Sequence, residues 1–340
     1  MLLSEAENYL ARRIEEIRQA KVYGVRPKRS FKEAATKYML ENQHKASICD
    51  DADHLKQVCR YIGNLTLEQV HNGTLQSFVK ARQELGRKTK TINNALEVVR
   101  HILNLAASQW IDQNGLTWLL NPPKITLLPV RDARDPYPLS WNEQTMLFNI
   151  LPKHLQQMAI FKVNTGCREQ EVCQLKWKWE IQVPELNTSI FIIPSHIVKQ
   201  GKCKQLVKNG KDRLVVLNDT AKAVIEQMRG INQEYVFSYK GNPITKMNNT
   251  AWKRARKLVG LPQVRIHDLK HTFGRRLRAA GVGYEDRQDL LGHKSSRITT
   301  HYSAAELHNL IESSNKISMH DHPGTILTLL RTAKETCVVS

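Results

Sequence analysis

Apolar residues recur every three to four positions through the first third of the chain, and this spacing predicts helices. Residues 1–22 are rich in charge and predict a solvated helix, followed by a turn at Gly24 and Pro27. The longest apolar stripe at helical spacing consists of Ile92, Ala95, Leu96, Val99, Leu103, Ala106 and Trp110. We therefore expect an N-terminal helical extension over residues 1–30 and a helical domain over residues 31–120.

Prolines interrupt this pattern. Between residues 121 and 138 lie Pro122, Pro123, Pro129, Pro136 and Pro138. Proline fixes φ and has no backbone N–H, so this segment should form neither a helix nor a central strand. We predict an extended linker over residues 121–138 and place a domain boundary in it.

The pattern after the linker combines helical and strand periods. Helical spacing returns from Trp141 to Phe161, and apolar runs at 189–193, 206–207 and 213–217 then predict strands. The last two runs flank Asn209-Gly210, a strong signal for a hairpin turn because both residues tolerate positive φ. Helical spacing resumes to about residue 315.

These elements predict a mixed α/β second domain over residues 139–318, mostly helical with a small β-sheet. A C-terminal tail follows over residues 319–340 and is too short to form a core alone. Its apolar residues could dock on a neighbouring protomer or pack on their own domain; they are Ile326, Leu327, Leu329 and Leu330.

Charge indicates the class of partner. The chain has 51 Lys and Arg against 32 Asp and Glu, a formal net charge of +19. Such an excess is typical of proteins that bind nucleic acid, because neutralised phosphates release condensed counterions. A basic surface that binds nothing, or one drawn to a membrane surface, is the alternative. We expect contacts to double-stranded DNA from Lys80, Arg82, Arg87, Lys88, Lys90, Arg131 and Arg134.

Several classes of protein are disfavoured. No run of about 18 apolar residues exists, which excludes a membrane-spanning helix. The first residues lack the basic and apolar regions of a signal peptide, so we expect a cytoplasmic protein, associated with the bacterial nucleoid. The six cysteines are scattered without a Cys-x-x-Cys pair, which predicts reduced thiols and no metal site.

Residues suited to chemistry concentrate in the second domain. They lie in Thr165-Gly166-Cys167-Arg168-Glu169-Gln170-Glu171, at Lys208, in His267-Asp268-Leu269-Lys270, in Leu290-Leu291-Gly292-His293 and at His301-Tyr302. Cations and imidazoles around one tyrosine suggest a site for a DNA phosphate with the phenol as nucleophile. Such a site needs fixed positive charge at the phosphate and a proton donor for the leaving oxygen.

In order and spacing these residues resemble the tyrosine recombinase, or phage integrase, family. The resemblance is specific over about 160–305 and only architectural over 31–120. It implies a mainly α core-binding domain that contacts DNA, and a catalytic domain that forms a 3′-phosphotyrosyl intermediate without a cofactor. It also implies that four protomers form a tetramer on two DNA sites. The expected function is site-specific recombination for integration or excision of a mobile element.

The resemblance implies a role for each matched residue. Glu171 would orient its neighbours, Lys208 would be the general acid and Tyr302 the nucleophile. Tyr284 is the alternative nucleophile, and Lys211 lies close enough to Lys208 to complicate that assignment. The full catalytic set is Arg168, Lys208, His267, Lys270, His293 and Tyr302.

One position departs from the family pattern, which has His-x-x-Arg where this chain has His267-x-x-Lys270. Lysine keeps the charge but loses the planar fork of the guanidinium. The chain is then either a working variant, with Arg265 or Arg275 in partial compensation, or a weakened catalyst retained for binding. A weakened catalyst would act as a sequence-specific DNA-binding regulator. A type IB topoisomerase-like enzyme, which shares the chemistry, is the other alternative function.

Overall fold

The computed structural model describes residues 3–199, 202–208, 210–293 and 304–317. The chain divides into two compact units, one ending at Arg134 and the other beginning at Asp135. Each unit has an apolar core of its own. None of the described helices is long and apolar enough to cross a membrane.

The first unit is helical. α5 carries the stripe predicted from spacing, with Ile92 and Leu96 buried and Trp110 packed just beyond the helix end. A capping box begins α2: Ser30 Oγ accepts from the Glu33 N–H at 3.2 Å, and the Glu33 carboxylate accepts from the Ser30 N–H at 2.7 Å. The helices are α1 (Leu3–Tyr23), α2 (Phe31–Glu41), α3 (Ile48–Ile62), α4 (Asn72–Glu84) and α5 (Thr89–Ser108).

Residues 121–138 contain no helix or strand, as their prolines predict, but the first part of this segment is fastened to the first unit. Ile125 is buried in that unit's core. The Asn93 amide donates to Leu128 O at 2.8 Å and accepts from Leu128 N at 2.9 Å. The Asp132 carboxylate accepts from the first backbone N–H of α5 at 2.8 Å. The first part of the predicted linker, up to Asp132, thus packs on the first unit.

The second unit combines helices with small antiparallel sheets. Its main core gathers apolar side chains from α6, α7, α9, α10 and the sheet, and a second cluster joins α11, α12 and α13. The helices are α6 (Trp141–Ile150), α7 (Lys153–Thr165), α8 (Glu169–Cys173), α9 (Asp219–Met228), α10 (Thr250–Leu258), α11 (Ile266–Ala279), α12 (Tyr284–Leu291) and α13 (Ala304–Asn315).

The largest described sheet is three-stranded, in the order β1-β2-β5. Its register pairs Ile190 with Val216 and Ile193 with Arg213. Two shorter ladders pair β3 with β4 and β6 with β7. The strands are β1 (Glu180–Val183), β2 (Thr188–Ile193), β3 (His196–Lys199), β4 (Lys202–Gln205), β5 (Arg213–Val216), β6 (Ser238–Tyr239) and β7 (Asn242–Pro243).

The hairpin predicted across Asn209-Gly210 is wrong in its strand pairing. The strand after the turn, β5, pairs with β2, and a separate hairpin of β3 and β4 lies between them. The turn itself forms, since Gly210 has φ +72° and its N–H donates to Val207 O at 3.0 Å. Val207 is buried and donates its N–H to Ser195 O, so it packs into the core and does not extend a ladder. Burial of the apolar face of β2 decides the pairing.

Candidate active site

Gly166 ends α7 and brings three elements close together. It adopts the left-handed conformation, with φ +62°, and caps the helix, as glycine commonly does at a helix end. A Cβ at this position would lie 2.6 Å from the Phe273 ring of α11 and 3.2 Å from Leu291 of α12. Only glycine lets α11 and α12 approach the end of α7 this closely. The residues that follow Gly166 therefore meet the predicted site residues of both helices.

A buried carboxylate between two arginines lies at the centre of this region. Arg168, at the start of α8, donates from its backbone N–H and from Nη1 to Glu171, at 2.7 and 2.9 Å. Arg213, the first residue of β5, donates from Nη1 to Glu171 Oε2 at 2.9 Å, the oxygen that also accepts from the Arg168 N–H. The side chains of Glu171 and Arg213 are 0% and 2% exposed, whereas Arg168 keeps 22% exposure. Arg168 is therefore the arginine that an external anion can reach.

Arg213 is a site residue that sequence reasoning missed. Its guanidinium also donates to the carbonyls of Thr165, Leu290 and Leu291, at 3.1–3.2 Å, and so joins the ends of α7 and α12. One signal in the sequence could have indicated it. Arg213 lies two residues before Val215, on the face of β5 that is buried, and a cation in a buried position needs an anion nearby.

Lys270 lies in the first turns of α11, where the amphipathic pattern predicts that helix. Its ammonium is buried and donates to Gly166 O at 2.8 Å and to Leu291 O. Burial, and then the charges of Arg213 and Arg168, lower the pKa of Lys270 to about 6. The nitrogen thus holds backbone carbonyls of two helix ends beside Arg168.

Two of the predicted histidines lie at the edge of this cluster. His267 stacks edge-to-face on His271, with ring centroids 4.7 Å apart. Partial burial, followed by the His271 and Lys162 charges, lowers the pKa of His267 to about 4. His293 follows the αL cap Gly292, and partial burial and the Lys270 charge lower its pKa as well. Both imidazoles are therefore neutral at pH 7 and can each donate one hydrogen bond.

The structure does not bring every predicted residue into the cluster. Lys208 is exposed after Val207, and in the described ranges its side chain makes no hydrogen bond or ion pair. Tyr284 is 68% exposed at the start of α12. Arg265 is exposed just before α11, and Arg275 is half-buried within it. Tyr302, the C-terminal tail and Asn209 lie outside the described residues.

The predicted DNA-binding surface of the first unit combines cations from the ends of two helices with cations from the linker. Lys80 and Arg82 lie near the end of α4, and Arg87, Lys88 and Lys90 surround the start of α5. Lys88 Nζ donates to the Asp132 carbonyl at 3.4 Å, which places the linker beside this stretch. Arg131 is adjacent to Asp132 and exposed, so the two predicted sets meet at the start of α5; the surface comprises Lys80, Arg82, Arg87, Lys88, Lys90, Arg131 and Arg134.

The central cluster can hold an anion without a metal. Two arginines flank one carboxylate, so the positive charge is in excess, and the Lys270 nitrogen and two neutral imidazoles add hydrogen-bond donors. Among the described residues, no group of three or more His, Cys, Asp or Glu could hold a metal ion. Phosphate is the anion that this combination of fixed charges and donors suits.

Loss of the Glu171 charge should destabilise the second unit. We expect Glu171→Gln to lower the free energy of unfolding by about 3–5 kcal/mol, because Arg213 would remain buried without a carboxylate. Glu226→Gln is the matched control, since Glu226 pairs with Arg229 in the same unit but is exposed. It should cost less than about 1 kcal/mol. Chemical denaturation of both variants measures this, and equal losses would contradict the buried role of Glu171.

The same carboxylate should make stability depend on acid. Burial alone would raise the pKa of Glu171, but the Arg213 charge and hydrogen bonds from Arg168 outweigh it and hold the pKa below its ordinary value. The stabilisation is complete above the unfolded-chain pKa of about 4.3 and is lost as pH falls through the lower folded pKa. Denaturation of wild type between pH 6 and pH 3 should show this loss, and Glu171→Gln should lack it.

The sequence is similar to a family of known proteins and to individual members of it. Residues 142–308 match the model of the phage integrase family. The Integrase of Salmonella phage P22 is 23% identical over 333 residues, which cover 86% of this chain and 81% of that protein. The tyrosine recombinase XerC of Pelobacter propionicus is 25% identical over 286 residues, which cover 80% and 81% of the two chains.

Solved structures share the fold. The Tn1549 transposon Integrase in complex with transposon right end DNA has a TM-score of 0.61 at 16% identity, covering 91% of this chain and 99% of that one. A lambda integrase dimer bound to a COC′ core site has a TM-score of 0.59 at 13% identity, covering 93% and 83%. The predicted fold class, a helical domain followed by a mixed α/β domain, is confirmed.

Proposed function

Because the chain belongs to the phage integrase family of tyrosine recombinases, we propose that it cleaves and rejoins DNA at specific sites through a 3′-phosphotyrosyl intermediate on Tyr302. The observation that carries this proposal is the cluster of Arg168, Glu171, Arg213 and Lys270 at the joined ends of α7 and α12. Its charge and donors suit a scissile phosphate. The relatives are integrases and Xer recombinases, which favours recombination over the topoisomerase and regulator alternatives.

Each group would have a distinct task in this reaction. Arg168, the exposed arginine, would hydrogen-bond the non-bridging oxygens of the phosphate, while Glu171 keeps its guanidinium in place. Lys270 and Arg213 are buried beneath Arg168, and from there they would stabilise the charge that develops on those oxygens. His267 and His293, as neutral donors, would add hydrogen bonds to the same oxygens.

The proposed covalent step uses only protein and DNA groups. The phenolic oxygen of Tyr302 attacks phosphorus and releases its proton to solvent, the bond to the 5′-oxygen breaks, and that oxygen takes a proton. Lys208 is the proposed donor of that proton. Its side chain is exposed directly after the buried Val207, where it could reach a bound duplex. The phosphotyrosine keeps the energy of the broken bond, so the reverse attack by a 5′-hydroxyl rejoins DNA.

We further propose that this protein acts as a tetramer on two DNA sites in the bacterial cytoplasm, near the nucleoid, for integration or excision of a mobile element. A solved lambda integrase tetramer is bound to a Holliday junction and shares the fold at a TM-score of 0.58. The decisive test offers the protein a duplex with a nick beside the cleavage position, in EDTA. A denaturation-resistant protein–DNA adduct supports the enzyme; binding without any adduct would indicate the regulator.

DNA affinity should depend steeply on salt. A protein that neutralises about 6–10 phosphates loses about 10³–10⁵ in affinity between about 50 and 200 mM salt, because each contact releases counterions. The excess of 51 basic over 32 acidic residues supports such a footprint. Titration of a labelled duplex at several salt concentrations measures the slope. A nearly flat dependence would contradict the DNA-binding surface at the start of α5.

A further inference from the structure

Lys162 is a fully buried cation next to the proposed site, and it has no part in the cleavage step proposed for that site. It lies in the last turn of α7 with 0% of its surface exposed, and its ammonium donates to the carbonyl of Cys167. Lysines are rarely buried in this way without a partner. Burial is the main cause that lowers the pKa of Lys162, to about 8. A cation held at this cost needs a structural or functional reason.

The carbonyl that Lys162 holds belongs to the peptide just before Arg168. The other edge of the same peptide, the Arg168 N–H, donates to Glu171 at 2.7 Å. A peptide unit is planar, so fixing its oxygen and its N–H fixes the orientation of the whole plane. Together with the Arg168 φ of −74°, that plane sets the direction in which the side chain leaves the backbone.

Lys162 also completes a series. Three successive carbonyls, from the last residue of α7 to the residue after its cap, each accept from a different buried basic side chain. Thr165 O accepts from Arg213, Gly166 O accepts from Lys270, and Cys167 O accepts from Lys162. The last carbonyls of a helix lack partners within the helix, and cations are favoured there. Lys162 therefore donates to the carbonyl that is nearest to Arg168 in the chain.

We propose that Lys162 is a positioning residue for DNA cleavage: by holding the Cys167 carbonyl it orients Arg168 toward the scissile phosphate. This inference rests on the proposed function, because it concerns the use of Arg168 in that reaction. Lys162 itself would not touch the DNA. Its loss should thus slow the chemical step and leave duplex binding unchanged.

The test measures single-turnover cleavage of a nicked duplex and duplex affinity for three variants. Lys162→Met keeps the length of the side chain but removes every N–H donor. Lys162→Gln retains an amide N–H that can donate to Cys167 O. Lys176→Met is the matched control, because Lys176 pairs with Glu234 in the same unit and contacts none of the cluster.

We expect Lys162→Met to slow cleavage about 10- to 100-fold, the cost of a small misplacement in an active site. Lys162→Gln should recover most of that rate, and Lys176→Met should cleave like wild type. A wild-type rate for Lys162→Met, or a rate for Lys162→Gln no faster than that of Lys162→Met, would overturn the proposal. If Lys162→Met does not fold, Lys162→Gln decides alone: a rate near wild type supports the proposal and a collapsed rate sinks it.

A double-mutant cycle separates positioning from a general structural role. In an Arg168→Ala background, Lys162→Met should cause no further loss, since the group through which Lys162 acts is already absent. Additive losses would show that Lys162 acts by another route. Failure of the proposed function itself is distinguishable, because wild type would then form no adduct at all.

Discussion

Tyr302→Phe should abolish covalent attachment to DNA and leave duplex affinity unchanged. The substitution removes one oxygen, the atom that would bond to phosphorus as the 5′-oxygen leaves. The loss should be complete, because the phenylalanine side chain has no oxygen that can attack phosphorus. Tyr302 lies outside the described residues, so the assignment rests on its place nine positions after His293 in the family pattern. Denaturing gels of a nicked duplex and gel-shift titrations measure adduct and binding separately.

Tyr284→Phe provides the matched control. Tyr284 is exposed at the start of α12, and the Arg287 guanidinium lies 5.8 Å from its ring centroid. This variant should form the adduct at the wild-type rate. An adduct with Tyr302→Phe that disappears with Tyr284→Phe would move the nucleophile to Tyr284.

Lys270→Ala should slow cleavage by about 2–4 kcal/mol of transition-state stabilisation, as does removal of a typical oxyanion donor. The structure adds a second reason. The ammonium holds the carbonyls of Gly166 and Leu291, so alanine would also loosen the ends of α7 and α12 beside Arg168. Lys270→Arg should cleave at least as fast as wild type, because a guanidinium offers more donors toward the same oxygens. Single-turnover rates at saturating protein measure both.

Arg265 and Arg275 supply the controls for Lys270. Arg265 is exposed before α11 and Arg275 is half-buried, so neither shares the buried position of Lys270. Their alanine variants should cleave at close to the wild-type rate. A collapsed rate for either arginine variant, with a normal rate for Lys270→Ala, would transfer the phosphate contact to that arginine.

Local patterns predicted the elements better than the contacts between them. The α5 stripe and the helices of the second unit follow from residue spacing, which acts within a few residues. The strand pairing around Asn209-Gly210 could not be predicted this way. Its turn is local, but pairing of β5 with β2 depends on which faces are buried in the folded unit.

The candidate site likewise contains residues that the sequence indicated and residues that only the fold revealed. Arg168, Glu171 and Lys270 stand in a recognisable pattern, so the sequence indicated them, although their common neighbourhood emerges only from the fold. Arg213 and Lys162 carry no motif of their own. Their importance comes from backbone carbonyls at the end of α7, and a sequence does not reveal which carbonyls lack partners.

The carbonyl that two side chains share at the end of α12 has a consequence for how this chain tolerates substitutions. Leu291 O accepts from both Arg213 and Lys270, so the loss of one donor leaves the other still in place. Effects of substitutions at these two positions should then depart from additivity by about 0.5–3 kcal/mol. Whether lysine or arginine is acceptable at position 270 would depend on what already occupies position 213. The order in which a lineage acquires such substitutions would decide which intermediates still recombine DNA.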